Sequence, residues 1–482
     1  MKKKMCQMTA LVLSLCMVAG CGGKNKETTV TLNPEDFESD ETFITIVDST
    51  PNALQEDALE RYCELGVNTF VLTEDFVPMT EGGTLSDSYK KAIRAAGEKG
   101  LNVWIRNMWN DPDYFECGAD KTGSNYGSPY QMNARNITTE FAEFSEVTGF
   151  YMADEAYMHK QEDNPKTEYD ESCFSNFDDL TKLIDWKNKY YPNAYMHMNH
   201  VPSASYDHWP AGTSYGEFIQ YYVDTIVKRL ESGGRSICLD NYPLLEGGTL
   251  SDTYLADLLT VANITRDYND KAAKEQKATC GICLQTFQNT NENARLRDIT
   301  CPEDVTFQMY TGMAVGARLF EYFCYRSYDS FGLYGIVDSA GEKRIFDYVK
   351  EANERALPFE KVLTSFDYRG TTVSKGEMRG RDDVFGQLGS LLLEETGSLL
   401  KVSGRYDAIV GCFQKGEQNG YMVVNYTAPN ENLTNAVMLE FQDCSHALVY
   451  TEDGVTDRKL TAKGELRLSL NAGEGAFVIP AK

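Results

Sequence analysis

The chain is short of positive charge. Its 46 lysines and arginines stand against 72 aspartates and glutamates, for a formal charge of −26 over 482 residues. Removing the first twenty residues with their three lysines takes this to −29. Nucleic acid, whose binding needs a basic footprint, is argued against on this ground, whereas neutral substrates and solubility outside the cell fit it. No GxGxxG or P-loop follows any strand-like run, so no nucleotide cofactor is expected. The five histidines lack zinc-protease spacing. Thirteen cysteines are present, but three fall in the first twenty-one residues and the rest are scattered. Cys280 and Cys283 have CxxC spacing without a second pair or a histidine cluster, and on a strand residues three apart face opposite ways. Cys238, Cys280, Cys283 and Cys324 therefore read as buried free thiols.

What is present begins with an export signature. Lys2, Lys3 and Lys4 precede an apolar run from Leu11 to Val18 that is too short to span a bilayer. The following Val18-Ala19-Gly20-Cys21 resembles the lipobox of bacterial lipoproteins. That resemblance implies a signal peptide over residues 1–20, a diacylglyceryl group on Cys21 and a location on the outer side of the cell envelope. Residues 21–40, polar and opening Gly22-Gly23-Lys24, read as a flexible tether. No other segment looks membrane-spanning.

From residue 41 to 366, short β-branched or aromatic runs alternate with amphipathic helical patterns, which indicates βα units and a parallel sheet. Strands are expected at 43–47, 69–73, 102–106, 149–153, 194–199, 236–239, 280–286 and 318–324. The helices between and after them are expected at 53–65, 86–99, 138–146, 177–190, 216–232, 251–275, 302–315 and 343–357. Eight units make a (β/α)8 barrel, whereas an open doubly wound sheet usually stops sooner. Residues 367–482 read as a C-terminal β-sandwich, with strands at 407–414, 420–425, 436–441, 446–450, 465–470 and 475–479 separated by Gly, Asn and Asp turns. The absence of a Pro/Ser-rich linker near Phe366 favours a module packed on the barrel over an independent carbohydrate-binding domain.

Barrel enzymes place their chemistry at the carboxyl ends of the strands. Counting by twos along strand four puts Gly149, Tyr151, Ala153 and Glu155 on one face, and Phe150, Met152 and Asp154 on the other. Glu155 is thus expected over the barrel mouth, where burial can keep a carboxyl protonated as a general acid. Asp240 and Tyr242 after strand six and Glu321 on strand eight are candidate partners. Arg106, Asp154, His197, Asn199 and Gln285 are expected to bind substrate. Trp104, Trp109, Tyr114, Trp209 and Tyr242 could stack on sugar rings. Each has a plainer reading as a cap, a salt bridge or a packing residue, and the convergence of polar groups from six strands is what favours a site. No cofactor or metal is called for, although the carboxylates of Asp154, Glu155 and Asp240 are of a kind that can hold calcium.

Three stretches resemble the glycoside hydrolases of the retaining (β/α)8 clan that includes the β-galactosidases. Gly149-Phe150-Tyr151-Met152-Ala153-Asp154-Glu155 resembles the strand-four motif ending in the acid/base glutamate. Gly335-Ile336-Val337-Asp338-Ser339-Ala340-Gly341-Glu342-Lys343 resembles the segment after the eighth strand, and 407–480 resembles the terminal β-domain. The resemblance implies a carbohydrate substrate and Glu155 as general acid. The sequence departs from the clan where it would place its nucleophile, at the end of strand seven: that position holds Gln285. Asp154 also stands where Asn is usual. Three readings remain: Glu155 paired with Asp240 or Glu321, with a carboxyl gap of about 5 Å implying retention and a wider one inversion; attack by the substrate's own N-acetyl group, with Tyr242 or Gln285 orienting it; or a barrel that binds glycan without cutting it.

Overall fold

The computed structural model describes residues 32–48, 58–72, 87–106, 141–158, 176–289, 295–327, 332–338, 340–378 and 382–482. Eight parallel strands close into a barrel in chain order: β1 (Ile44–Asp48), β2 (Thr69–Leu72), β3 (Asn102–Arg106), β4 (Val147–Asp154), β5 (Tyr195–His200), β6 (Ser236–Asp240), β7 (Thr279–Gln285) and β8 (Leu319–Phe323). The closing pair sets Ile46 opposite Glu321. The helices around it are α1 (Ala58–Leu65), α2 (Asp87–Glu98), α3 (Phe177–Tyr190), α4 (Tyr215–Thr225), α5 (Tyr254–Asn269), α6 (Pro302–Ala314) and α7 (Phe346–Leu363). Of the helix expected at 138–146, residues 138–140 lie outside the described residues; Phe141 is helical and residues 142–146 run largely as turns, with Phe141 and Phe144 buried. Among the described residues no helix is long and apolar enough to cross a membrane.

Alternation along each strand separates two cores. Val47, Phe70, Ile105, Phe150, Leu239 and Phe320 face the helices and join the large outer core. Ile46, Val71, Trp104, Tyr151, Cys238 and Leu319 form a separate cluster inside the barrel. The indole of Trp104 fits there because Gly149 opposite it has no side chain; a Cβ would lie 2.6 Å from the ring nitrogen. Cys238, Cys280, Cys283 and Cys324 are buried and free, as expected.

Strand four carries the main departure from simple alternation. Its pairing with β5 slips between Tyr151 and Ala153, so that Ala153 sits against Met198 and Asp154 against Asn199. The extra residue is a β-bulge, which re-aims the side chains beyond it. Ala153 consequently joins the outer core. Asp154 moves to the Tyr151 face, whose hydroxyl donates to its carboxylate at 3.1 Å. The expected sharing of faces is corrected by this one residue.

The C-terminal strands are β9 (Asp367–Ser374), β10 (Leu399–Ser403), β11 (Ala408–Lys415), β12 (Gln418–Asn425), β13 (Asn435–Phe441), β14 (His446–Thr451), β15 (Gly454–Lys459), β16 (Glu465–Leu470) and β17 (Gly475–Ala481). They form an antiparallel sandwich of a six-stranded sheet, β9-β11-β12-β17-β14-β15, and a three-stranded sheet, β10-β13-β16. Val410, Val423, Leu439, Phe441, Leu466 and Val478 fill the space between the sheets. The opposite face of the larger sheet, with Ile409, Phe413, Met422, Val424 and Phe477, merges into the barrel's outer core. The two layers meet at van der Waals limits: a Cβ on Gly411 would lie 2.0 Å from the Ala314 carbonyl oxygen. The sandwich is a packed module, and α6 beneath it is accordingly buried from Asp304 to Ala314. Part of the segment expected as tether also packs: Phe37 lies against Phe366, and Lys415 Nζ donates to Asp36 O at 2.8 Å.

Candidate active site

The carboxyl ends of β4 and β6 bring three acidic groups, Asp154, Glu155 and Asp240, to one end of the barrel, with Glu321 of β8 deeper inside. Glu155 follows β4 directly, in the left-handed region with φ of 52°, a conformation uncommon for a residue with a Cβ. Its N–H donates to Asn199 O at 3.2 Å, which ties it to β5. Burial raises its carboxyl to about 7, with the charges of Asp154 and Asp207 adding to the shift. A carboxyl so placed carries a proton near neutral pH and can give it up.

Asp240 ends β6 and is raised well above the ordinary aspartate range, first by burial and then by repulsion from Glu155 and Asp154, with Glu321 contributing. A hydrogen bond from Tyr242 acts the other way by favouring the anion. The Oδ1 atom of Asp240 is buried without a protein partner. The Tyr242 ring is held between Phe287, edge-on at 5.4 Å, and Phe323, stacked at 5.9 Å. Like charges brought together in a dry site cannot all ionise, so this group retains at least one proton into the neutral range.

Deeper in the barrel, His197 bridges strands. Its Nδ1 lies 2.8 Å from Ser236 Oγ and its Nε2 lies 2.9 Å from Glu321 Oε2. Tyr151 meets the imidazole edge-on at 4.8 Å. Asn199 is buried beside this network with its Oδ1 unpartnered.

Of the expected site residues, the structure brings together Asp154, Glu155, His197, Asn199, Asp240, Tyr242 and Glu321. It does not leave Gln285 free for a ligand. The Gln285 Oε1 accepts from Leu244 N at 3.1 Å, and its Nε2 donates to Leu244 O at 3.3 Å and Arg297 O at 2.8 Å. The amide is a clasp for the loops after β6 and β7, a role that uses both of its ends. Trp104 fills the barrel interior, stacked on Tyr195 at 4.7 Å, and Trp209 packs on Phe218 at 4.7 Å, so neither presents a face for a sugar. Arg106 ends β3, and its side chain lies outside the described residues, as do Trp109, Tyr114 and Cys21.

The loop after β5 contributes residues that the sequence did not single out. Tyr157 stacks on His208 at 4.2 Å with rings 5° apart, and Asp207 is close enough to raise both Glu155 and Tyr157. Face-counting carries at most a residue or two past a strand end, so it does not reach the middle of a connecting loop.

No family model and no curated protein matches the chain. Solved structures do. A catalytic mutant of a GH42 β-galactosidase from G. stearothermophilus aligns over 92% of this chain and 98% of its own, with a TM-score of 0.53 at 12% identity. The cold-adapted β-galactosidase from Rahnella sp. R3 aligns over 92% and 99%, with a TM-score of 0.50 at 11% identity. At this identity the likeness speaks to architecture alone: the chain has a (β/α)8 barrel followed by a C-terminal β-domain, as these structures do.

Proposed function

We propose that the protein is a glycoside hydrolase that cleaves an extracellular glycan, with Glu155 as the general acid and Asp240 as the second carboxylate. The observation that carries this reading is the protonatable Glu155 at the barrel end, held near 7 by burial and by neighbouring carboxylates. Departure of a sugar alkoxide requires a proton at the glycosidic oxygen, and a carboxylic acid with this affinity supplies it at neutral pH. With the shared proton on Glu155, Asp240 acts as the carboxylate on the anomeric centre, either directly or through water. Tyr242 favours its anion through a hydrogen bond, and Asp154 lies close enough to Glu155 to help raise it. Glu321 is engaged by His197 and is assigned to positioning.

A second reading rests on Gln285. With its amide consumed by backbone groups, the end of β7 offers no nucleophile, and a barrel lacking turnover would capture glycan for another protein. Aryl glycosides and natural oligosaccharides of varied sugar and linkage separate the two. Wild-type hydrolysis that falls by about 10²–10⁴-fold in Glu155→Gln supports the enzyme. Saturable binding with no turnover, unchanged in Glu155→Gln, supports the binder.

The export signature leads to a further part of the proposal: the chain is processed before Cys21 and held by lipid on the outer side of the envelope. Metabolic labelling with a fatty acid should mark the wild type and leave Cys21→Ala unlabelled. Labelling that survives in Cys21→Ala would remove this part.

A further inference from the structure

Inside the barrel, three donor atoms of different chemistry converge from three strands. His197 on β5, Cys238 on β6 and Glu321 on β8 each present one potential ligand atom, and these atoms lie within 4.8 Å of one another. All three side chains are buried. An imidazole nitrogen, a sulfur and a carboxylate oxygen form the mixed set that zinc and its borderline-soft neighbours prefer. Calcium or magnesium would ask for oxygens alone.

We propose that His197, Cys238 and Glu321 form a binding site for one divalent cation of the zinc class inside the barrel. This goes beyond the glycosidase reading and does not rest on it. Several features suit the trio to the task. The second nitrogen of His197 is directed at Ser236 Oγ, 2.8 Å away, and a partner of this kind fixes the ring of a ligating histidine. Tyr151 and Trp104 pack against the same ring at 4.8 and 5.5 Å. Gly281, paired with Cys238 across the β6–β7 ladder, leaves the sulfur its position; a Cβ there would come within 3.0 Å of it. The register also sets Cys283 directly against Asp240 and Glu321. The Cys283 sulfur, however, is not among the atoms that converge within 4.8 Å, so the fourth position falls to water, a three-plus-one set.

The proton balance is simple. In the cation-free protein the Cys238 thiol holds its proton, since burial and nearby carboxylates push it well above its ordinary range. The ring of His197 is bonded to Glu321 through Nε2. On binding, the thiol proton leaves to solvent and sulfur bonds the cation. The imidazole adopts the tautomer protonated at Nδ1, donating to Ser236 Oγ, and Nε2 bonds the cation in place of Glu321.

The test is a titration of the chelator-treated, purified protein with Co²⁺ as a spectroscopic stand-in, and with Zn²⁺ followed by elemental analysis. The expected result is one equivalent bound, with the visible bands of a tetrahedral site and a sulfur-to-cobalt band in the near ultraviolet. Cys238→Ser should abolish the sulfur band and weaken zinc uptake at least tenfold, and Glu321→Gln should weaken uptake while leaving the band. A wild-type protein that takes up no stoichiometric ion, or one whose spectrum lacks the sulfur band, overturns the proposal even where a variant fails to fold. Uptake that persists unchanged in well-folded Cys238→Ser and Glu321→Gln proteins places the ion elsewhere and overturns it equally.

Discussion

At the scale of single residues, Glu155 combines a left-handed backbone with a carboxyl that burial holds near 7. The backbone cost is tolerated because Asn199 fixes the peptide from the neighbouring strand. His200, one residue further along β5, shows the same chemistry without an evident use. It is fully buried among Phe177, Phe218 and Tyr222, its two ring nitrogens lack partners, and burial, aided by the nearby His197, lowers it from 6.5 to about 3. The unfolded chain therefore binds a proton below about pH 6.5 that the folded chain refuses. Stability contributed by the neutral ring is complete above that pH and lost as pH falls toward 3, with a slope approaching about 1.4 kcal/mol per pH unit. Urea unfolding across this range should show that slope in the wild type and a shallower one in His200→Leu. Equal slopes would mean that His200 does not titrate as described.

At the scale of elements, the end of β7 is where the chain departs most from the family it resembles. Gln285 is legible in sequence as a polar residue at a strand end, but a substrate contact and a loop clasp look identical there. Only the partners, Leu244 and Arg297, distinguish them. Gln285→Glu is consequently expected to create no nucleophile. It would set an anion against two carbonyl oxygens that now accept from the amide, costing about 1–3 kcal/mol or more. Thermal unfolding of the variant should shift down with no gain in hydrolysis; a faster enzyme would show that the position is a decayed active-site residue. The bulge in β4 is equally hidden, because counting by twos assumes no inserted residue. Elements with strong periodicity are legible: helix α3, expected over 177–190, occupies Phe177–Tyr190. Strands β9, β10 and β15 escape the sequence pattern; the last is largely exposed and polar, with no apolar alternation to betray it.

At the scale of the whole molecule, the barrel and the sandwich share one outer core, so neither is independent of the other. The closeness of Gly411 to the Ala314 carbonyl makes this testable. Gly411→Val should force the sheet away from α6 and cost on the order of 1–3 kcal/mol or more, measured as one cooperative transition moving down in denaturant. Two separate transitions in the wild type would contradict a shared core. Fold class is legible because eight alternations of strand and helix leave few alternatives. The polar residues at the strand ends are legible too, since topology alone gathers those ends. The loop after β5, with Asp207, is not, and neither is Tyr157, because loop conformation depends on contacts made after the barrel closes.

The proposed chemistry turns on Glu155 being an acid that must hold its proton. The pH dependence of kcat/KM on a glycoside with a poor leaving group, for the wild type and Glu155→Gln, reads this out. Activity should decline as pH rises through about 7, the value to which burial and its neighbours lift Glu155, and the residual activity of Glu155→Gln should lack that limb. A limb that persists unchanged in Glu155→Gln would mean that another group donates the proton.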